Sequence, residues 1–288
     1  MTKKNRREQE SETKSSDSSP YIWQRSKIDY TLTIRTRPDL TEHQKEVIDL
    51  ILDKRNKIIF ISGPAGVSKS FLSLYCGLQL LNDRKVGKIL YSRPMLESAD
   101  SGSKLGMLPG TYENKVEPYA NAMTALLEEL LPTADIKKLT ADERLQVLPV
   151  NYVRGLTFAN QFCIFDECAS FTSGELKTLL TRIGSFSKVV LCCDPGQSDL
   201  PFNKQGGFDK LIKLFSGEES AEMGIKTAFF DESEVVRSPI CKFMVGKFKE
   251  LDAADKETSK SNGHKNGSAP LILDSSIREW APSNNSYS

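Results

Sequence analysis

The chain has 288 residues, of which 39% are hydrophobic and 27% charged, and its formal net charge is +1. That apolar share supports a sizeable core, and so small a net charge excludes a protein whose bulk is basic enough to coat nucleic acid, so any such surface must be a local patch. No apolar run has the length of a membrane span, and the amino-terminal "MTKKNRREQESETKSSDSS" has no apolar segment of the secretory kind.

In chain order, residues 1–27 are polar and read as a disordered tail. A single domain is expected over 28–252. Its first signal is Thr41-x-x-Gln44 ahead of "VIDLIL", the pattern of a helix capping box. "KIIFIS", "KILYS", "QFCIFDE" and "KVVLCCD" are unbroken apolar runs of strand length, as expected of strands covered on both faces. Helical spacing appears between them in "SFLSLYCGLQLLND" and "KVEPYANAMTALLEELL", then from about Glu175 to Ile183 and from about Pro239 to Leu251. Strands alternating with helices imply an α/β fold with a mainly parallel sheet flanked by helices. Residues 253–288 read as a mostly disordered tail, in which "LILDSSIREW" is either a weakly ordered island or a docking segment.

The six cysteines show neither CxxC pairs nor a disulfide-framework spacing, and most lie in apolar runs where cysteine acts as a small hydrophobe. A reducing cytoplasm follows as the expected compartment. With two histidines, one of them in the polar tail, histidine metal sites and Ser-His-Asp catalysis are close to excluded.

Chemistry concentrates in three places. "FISGPAGVSKSF" (60–71) is a strand, a glycine-containing turn and a helix opened by Lys69, the setting in which backbone N–H groups and a helix dipole converge on an anion. Gly63, Lys69 and Ser70 satisfy G-x-x-x-x-G-K-[ST], Gly66 gives a second flexible point, and Ser68 stands in the place of the last glycine. An ordinary capped strand-turn-helix is the plainer reading of that stretch alone. "QFCIFDE" ends in Asp166 and Glu167, where a metal-holding acid and a water-activating acid belong, although acids also simply start helices. "KVVLCCDPGQSDLPF" carries Gln197 past a third strand, where an amide can sense a γ-phosphate, and Pro195-Gly196 would make a turn in any case.

Taken in order, "GPAGVSKS", "SRPM", "KLGMLPGTYENKVEPY", "NYVRGLTFANQFCIFDE", "LTRIGS", "DPGQSDLP" and "EVVRSP" resemble the PhoH-like family from about Leu40 to Arg237. The resemblance implies one RecA-like P-loop ATPase domain, similar to the first motor domain of superfamily-one helicases and often assembled as a homo-oligomeric ring. It implies ATP and Mg²⁺ as ligands, RNA or single-stranded DNA as a partner, no membrane, and a bacterial or bacteriophage source, with the host cytoplasm as compartment in the phage case. Carried over by position, Gly63, Pro64, Ala65, Gly66, Val67, Ser68, Lys69, Ser70 and Phe71 form the nucleotide loop, and Ser70 with Asp166 holds the metal. Glu167 is the base, Lys69 and Gln197 attend the γ-phosphate, and Gln44 either reads adenine or only caps its helix. Arg182 and Arg237 either touch transition-state phosphate charge or form surface ion pairs. Arg93, and with it Arg154, either contacts a nucleic-acid strand or forms a structural ion pair.

Four positions depart from the family pattern: Ser68 for glycine, Ala169 for the glutamine of Asp-Glu-Ala-Gln-Asn, Leu156 for a second arginine, and Cys193 for glycine. Lys69, Ser70, Asp166, Glu167 and Gln197 all survive, which favours a working site with an altered loop. The expected function is Mg²⁺-dependent ATP hydrolysis coupled to RNA or single-stranded nucleic acid. The alternative is an ATP-dependent binding switch with little turnover, and Glu167 argues against a small-molecule kinase.

Overall fold

A computed structural model describes residues 30–37, 39–94, 112–150, 153, 155–198, 200 and 204–236, and also Ile240, Phe243, Met244, Gly246, Lys247 and Glu250; of 112–120 it describes the backbone alone. The chain divides into two compact units, Met1–Val236 and Arg237–Ser288. Both expected tails and the "LILDSSIREW" island lie outside the described residues.

The first unit runs α1 (Glu42–Leu52), β1 (Ile58–Ser62), α2 (Lys69–Asn82), β2 (Lys88–Ser92), α3 (Tyr112–Leu130), α4 (Thr133–Ala141), β3 (Leu145–Val147), β4 (Gln161–Phe165), α5 (Ser173–Leu180), β5 (Lys188–Cys193), α6 (Gly207–Leu214), α7 (Glu218–Glu222) and β6 (Ile225–Phe229). The strands form one sheet in the order β3-β2-β4-β5-β1-β6, with every pair parallel. This is the expected α/β architecture. The four apolar runs are its four inner strands. Both edge strands escaped the sequence reading, because "LQV" and "IKTAF" are half exposed and form no continuous apolar run.

Period-two alternation sends successive strand residues to opposite faces. Ile59, Ile61, Ile89, Tyr91, Phe162, Ile164, Val190 and Cys192 pack with residues of α1 to α4 on one face. Phe60, Leu90, Cys163, Phe165, Val189, Leu191 and Cys193 pack with Leu176 and Leu179 of α5 and Phe208 of α6 on the other. Cys76, Cys163, Cys168, Cys192 and Cys193 are buried free thiols. Burial pushes the Cys192 thiol up to about 12, so these cysteines serve as core hydrophobes.

Local chemistry sets the helix ends. Thr41 and Gln44 make a full capping box on α1, and Thr172 and Glu175 make one on α5. The second explains why α5 spans Ser173–Leu180 rather than 175–183: the box opens it two residues early, and Ile183 leaves the helix to bridge Phe158. α1 has no basic residue in its own last turn, and Lys188 from β5 donates to the carbonyls of Ile51 and Asp53 at that end. In the second unit the described residues are helical, within the span where a helix was expected. There Lys247 pairs with Glu250 at 2.7 Å and lies 5.9 Å from the Phe243 ring centroid. No helix among the described residues is long and apolar enough to cross a membrane.

The connection leaving β1 runs past β5 and β4 to reach β2, whereas the one leaving β5 passes β1 to reach β6. The carboxyl ends of β1 and β5 therefore flank a point where the winding reverses, the place in such sheets where ligands bind.

Candidate functional site

The segment after β1 opens at that point. Gly63 N–H donates to the Cys193 carbonyl at 3.1 Å, and Phe230 N–H donates to the Ser62 carbonyl at 2.8 Å. A Cβ on Gly63 would lie 2.6 Å from Phe230 Cβ and 2.9 Å from its carbonyl oxygen, so this glycine is required by the chain leaving β6. Gly66 follows at φ 95°, its carbonyl accepting from Val236 N–H at 3.0 Å. Val67 is fully buried and anchors the loop.

Ser68 caps α2 at φ 68° and ψ 24°, in the left-handed region, and its side chain makes no capping bond. The loop thus keeps a glycine backbone conformation with a serine in it. Left-handed backbone costs a non-glycine residue about 1–2 kcal/mol.

Lys69 Nζ donates to the carbonyls of Gly63 at 2.7 Å and Pro64 at 2.8 Å, which draws the side chain across the mouth of its own loop. An ammonium has three donors, so one remains for an anion held there. Burial lowers its pKa below the usual lysine value, while the charges of Asp194 and Asp166 pull the other way.

Ser70 Oγ donates to Asp166 Oδ2 at 2.7 Å, which unites the loop with the carboxyl end of β4. The same oxygen accepts the Tyr91 hydroxyl at 2.7 Å, and Asp166 Oδ1 accepts Glu167 N–H at 3.0 Å. Tyr91 is 1% exposed, and burial together with the Asp166 charge pushes its phenol pKa up, so it stays a donor. Sequence reasoning missed Tyr91, which sits within the apolar run of β2 where a tyrosine reads as filler; its one signal is a hydroxyl in an otherwise dry strand.

Glu167 follows at φ 55°, also left-handed, and its carboxylate forms an ion pair with Arg93, just past β2. Gln197 is exposed in the turn after β5, where Gly196 N–H bonds Asp194 Oδ1 at 3.0 Å and Gln197 N–H bonds the Asp194 carbonyl at 3.0 Å. Ser198 Oγ donates to the Ala169 carbonyl at 2.8 Å and joins this turn to the one after β4. Lys69, Ser70, Asp166, Glu167 and Gln197 are thus gathered at one edge of the sheet.

The remaining candidates differ. Gln44 is 2% exposed, its Oε1 accepts Thr41 N–H at 3.1 Å and its Nε2 faces the Val67 carbonyl at 3.4 Å, so its amide is engaged in capping and in holding the loop. Phe71 is buried, with the Arg37 guanidinium 4.9 Å from its ring centroid, which leaves its backbone N–H for any ligand contact. Arg182 stands at the far edge: its carbonyl accepts Phe158 N–H at 2.8 Å, ahead of β4 and β5. β5 alone spans six residues, roughly 20 Å at about 3.3 Å per residue, so Arg182 cannot reach the phosphate loop of its own chain. Arg154 and Arg237 lie outside the described residues.

Among the described residues no three His, Cys, Asp or Glu side chains converge on a point. Ser70 and Asp166 could hold a hard cation only together with oxygens brought by a ligand and by water, which suits Mg²⁺ on a nucleotide.

Two outcomes follow for stability. Ser68→Gly removes the left-handed penalty and, after the greater freedom of the unfolded chain is subtracted, raises Tm by about 2–4 °C; a fall in Tm would mean that the serine hydroxyl is in use. Tyr91→Phe keeps the ring and removes one donor to a carboxylate, which lowers unfolding free energy by about 1.5–3 kcal/mol in urea titration, and an unchanged midpoint would show that the bond contributes nothing.

The PhoH-like protein family matches residues 36–249. The chain is 31% identical over 205 residues to a PhoH-like protein of Synechocystis, covering 71% of this chain and 60% of that one, and 32% identical over 187 residues to one of Bacillus subtilis, covering 65% and 56%. It is 39% identical over 176 residues to Protein PhoH2 of Thermobispora bispora, covering 60% and 40%. The chain therefore spans about half the length of the curated relatives it matches. Among solved structures, the Hef helicase domain of Pyrococcus furiosus aligns with a TM-score of 0.38 at 11% identity, over 65% of this chain and 37% of that one. The match over most of the chain, falling on the loop and on the acids assembled beside it, makes this protein a member of the PhoH-like family.

Proposed function

We propose that this chain binds ATP with Mg²⁺ at the loop of residues 63–71 and hydrolyses it, coupled to RNA or single-stranded DNA. The observation that carries the reading is the 2.7 Å bond between Ser70 and Asp166, which joins the loop that Lys69 folds back over to the carboxyl end of β4 and so supports it. The loop N–H groups and the remaining Lys69 donor would bind the phosphates, and Ser70 and Asp166 would hold the metal. Mg²⁺, when bound, supplies charge neutralisation for the phosphate oxygens. Glu167, at the same edge, would accept a proton from the attacking water, and Gln197 would hydrogen-bond the terminal phosphate. The Arg93–Glu167 pair favours a second reading, a binding switch that turns over slowly, because an oxygen engaged with a guanidinium is not free to take a proton.

Steady-state phosphate release with and without single-stranded RNA tests the reading and separates it from the switch. Glu167→Gln leaves nucleotide binding intact and lowers turnover about 10²–10⁴-fold, whereas Lys69→Ala abolishes binding; wild-type turnover in the first variant removes Glu167 as base, and undiminished binding in the second removes the loop.

The proposal extends to a homo-oligomeric ring. Arg182 lies too far from its own loop to serve it, so any contact with a γ-phosphate must be made in a neighbouring copy, and Arg237 is the other candidate. A supplied arginine is worth about 10³–10⁵ in rate. Mixing Lys69→Ala with Arg182→Ala chains restores activity if Arg182 acts across the subunit boundary, and confirmed mixed oligomers that stay inactive exclude it.

A further inference from the structure

The ion pair between Arg93 and Glu167 joins two residues of different expected function. Arg93 follows β2, and Glu167 follows β4, the strand paired with β2 in register from Lys88↔Gln161 to Ser92↔Phe165. The two side chains therefore leave adjacent strand ends at the edge where the phosphate loop opens. The Glu167 backbone is fixed by its N–H bond to Asp166 Oδ1 and by its left-handed turn, so the carboxylate can change partner only by rotating its own side chain. Both side chains are partly open to water, 23% and 40% exposed, and a pair so exposed is easily exchanged.

A guanidinium fork fits carboxylate and phosphate alike and cannot be deprotonated. A phosphate that takes the guanidinium nitrogen now facing Glu167 Oε1 displaces the carboxylate from it. We propose that Arg93 is the positioning residue of Glu167, and that a phosphodiester of a bound single strand competes with the Glu167 carboxylate for its guanidinium. Strand binding then releases the carboxylate oxygen that a water proton requires. The two expected roles of Arg93, strand contact and structural ion pair, become the two states of one residue. The coupling is reciprocal: a strand frees the base, and loss of the base's charge tightens the strand. The proposal rests on the reading of a strand-coupled ATPase, but its binding arm needs no hydrolysis.

The test is a double-mutant cycle on full-length chain, read by fluorescence anisotropy of a labelled oligouridylate without nucleotide. Glu167→Gln tightens binding by up to about fivefold, the ~1 kcal/mol upper range for a partly exposed pair at 1.36 kcal/mol per tenfold. Arg93→Ala weakens binding, and in that background Glu167→Gln has no further effect; Arg93→Lys retains part of the coupling. An equal gain with and without Arg93 reduces the effect to general charge and overturns the proposal, as does absence of strand binding by the wild type. A phosphate source at the nucleotide instead of the strand shows as Arg93→Ala losing affinity for a fluorescent ATP analogue while strand affinity stays unchanged, and that also overturns it. Phosphate release on the same preparations decides the ATPase reading separately: with turnover present, Arg93→Ala has a raised basal rate that RNA no longer stimulates.

Discussion

Asp166 Oδ2 receives the hydroxyl protons of Ser70 and Tyr91 at 2.7 Å each, and the site is organised around that oxygen. Asp166 is 7% exposed, and a carboxylate so buried is tolerated only when donors surround it. Here the donors come from the start of α2, from β2 and from the backbone of Glu167, so satisfying one charge fixes three elements relative to one another. A Ser70 placed by Asp166 also sets the first turn of α2, from which Lys69 reaches back over the loop.

Around this fixed point the backbone is held in conformations that side chains do not favour. Ser68 and Glu167 are both left-handed, at φ 68° and 55°, one at the start of α2 and the other in the turn after β4. Strain of this kind persists where neighbouring contacts over-determine the chain. Close contacts supply it here: Gly63 abuts the backbone of Phe230, Val67 is buried, and Val236 bonds the Gly66 carbonyl. The loop is shaped as much by the chain leaving β6 as by its own glycines.

Much of this was legible in the residues, for reasons particular to each. The inner strands announce themselves because burial on both faces demands unbroken apolar runs. Asp166 and Glu167 announce themselves because charge at the end of such a run is otherwise unexpected, and Lys69 and Ser70 because they complete the spacing of a glycine-containing loop after one. The edge strands could not be read, since half exposure leaves "LQV" and "IKTAF" without a pattern. Tyr91 could not, because only its partner reveals what its hydroxyl does. Gly63 was legible as a motif glycine but not for its contact with Phe230, and the placement of Arg182 at the far edge depends on strand direction, which a local motif does not carry.

The hydrogen bond from Ser198 to the carbonyl of Ala169 bears on how this chain tolerates change. The acceptor is main chain, and every amino acid presents it. Where the family pattern places a glutamine, the turn after β4 can therefore accept alanine without losing its tie to the turn that carries Gln197. The mutable element lies on the other end: Ser198→Ala would cut the tie at its only side-chain member, so variation should be cheap at position 169 and dear at 198.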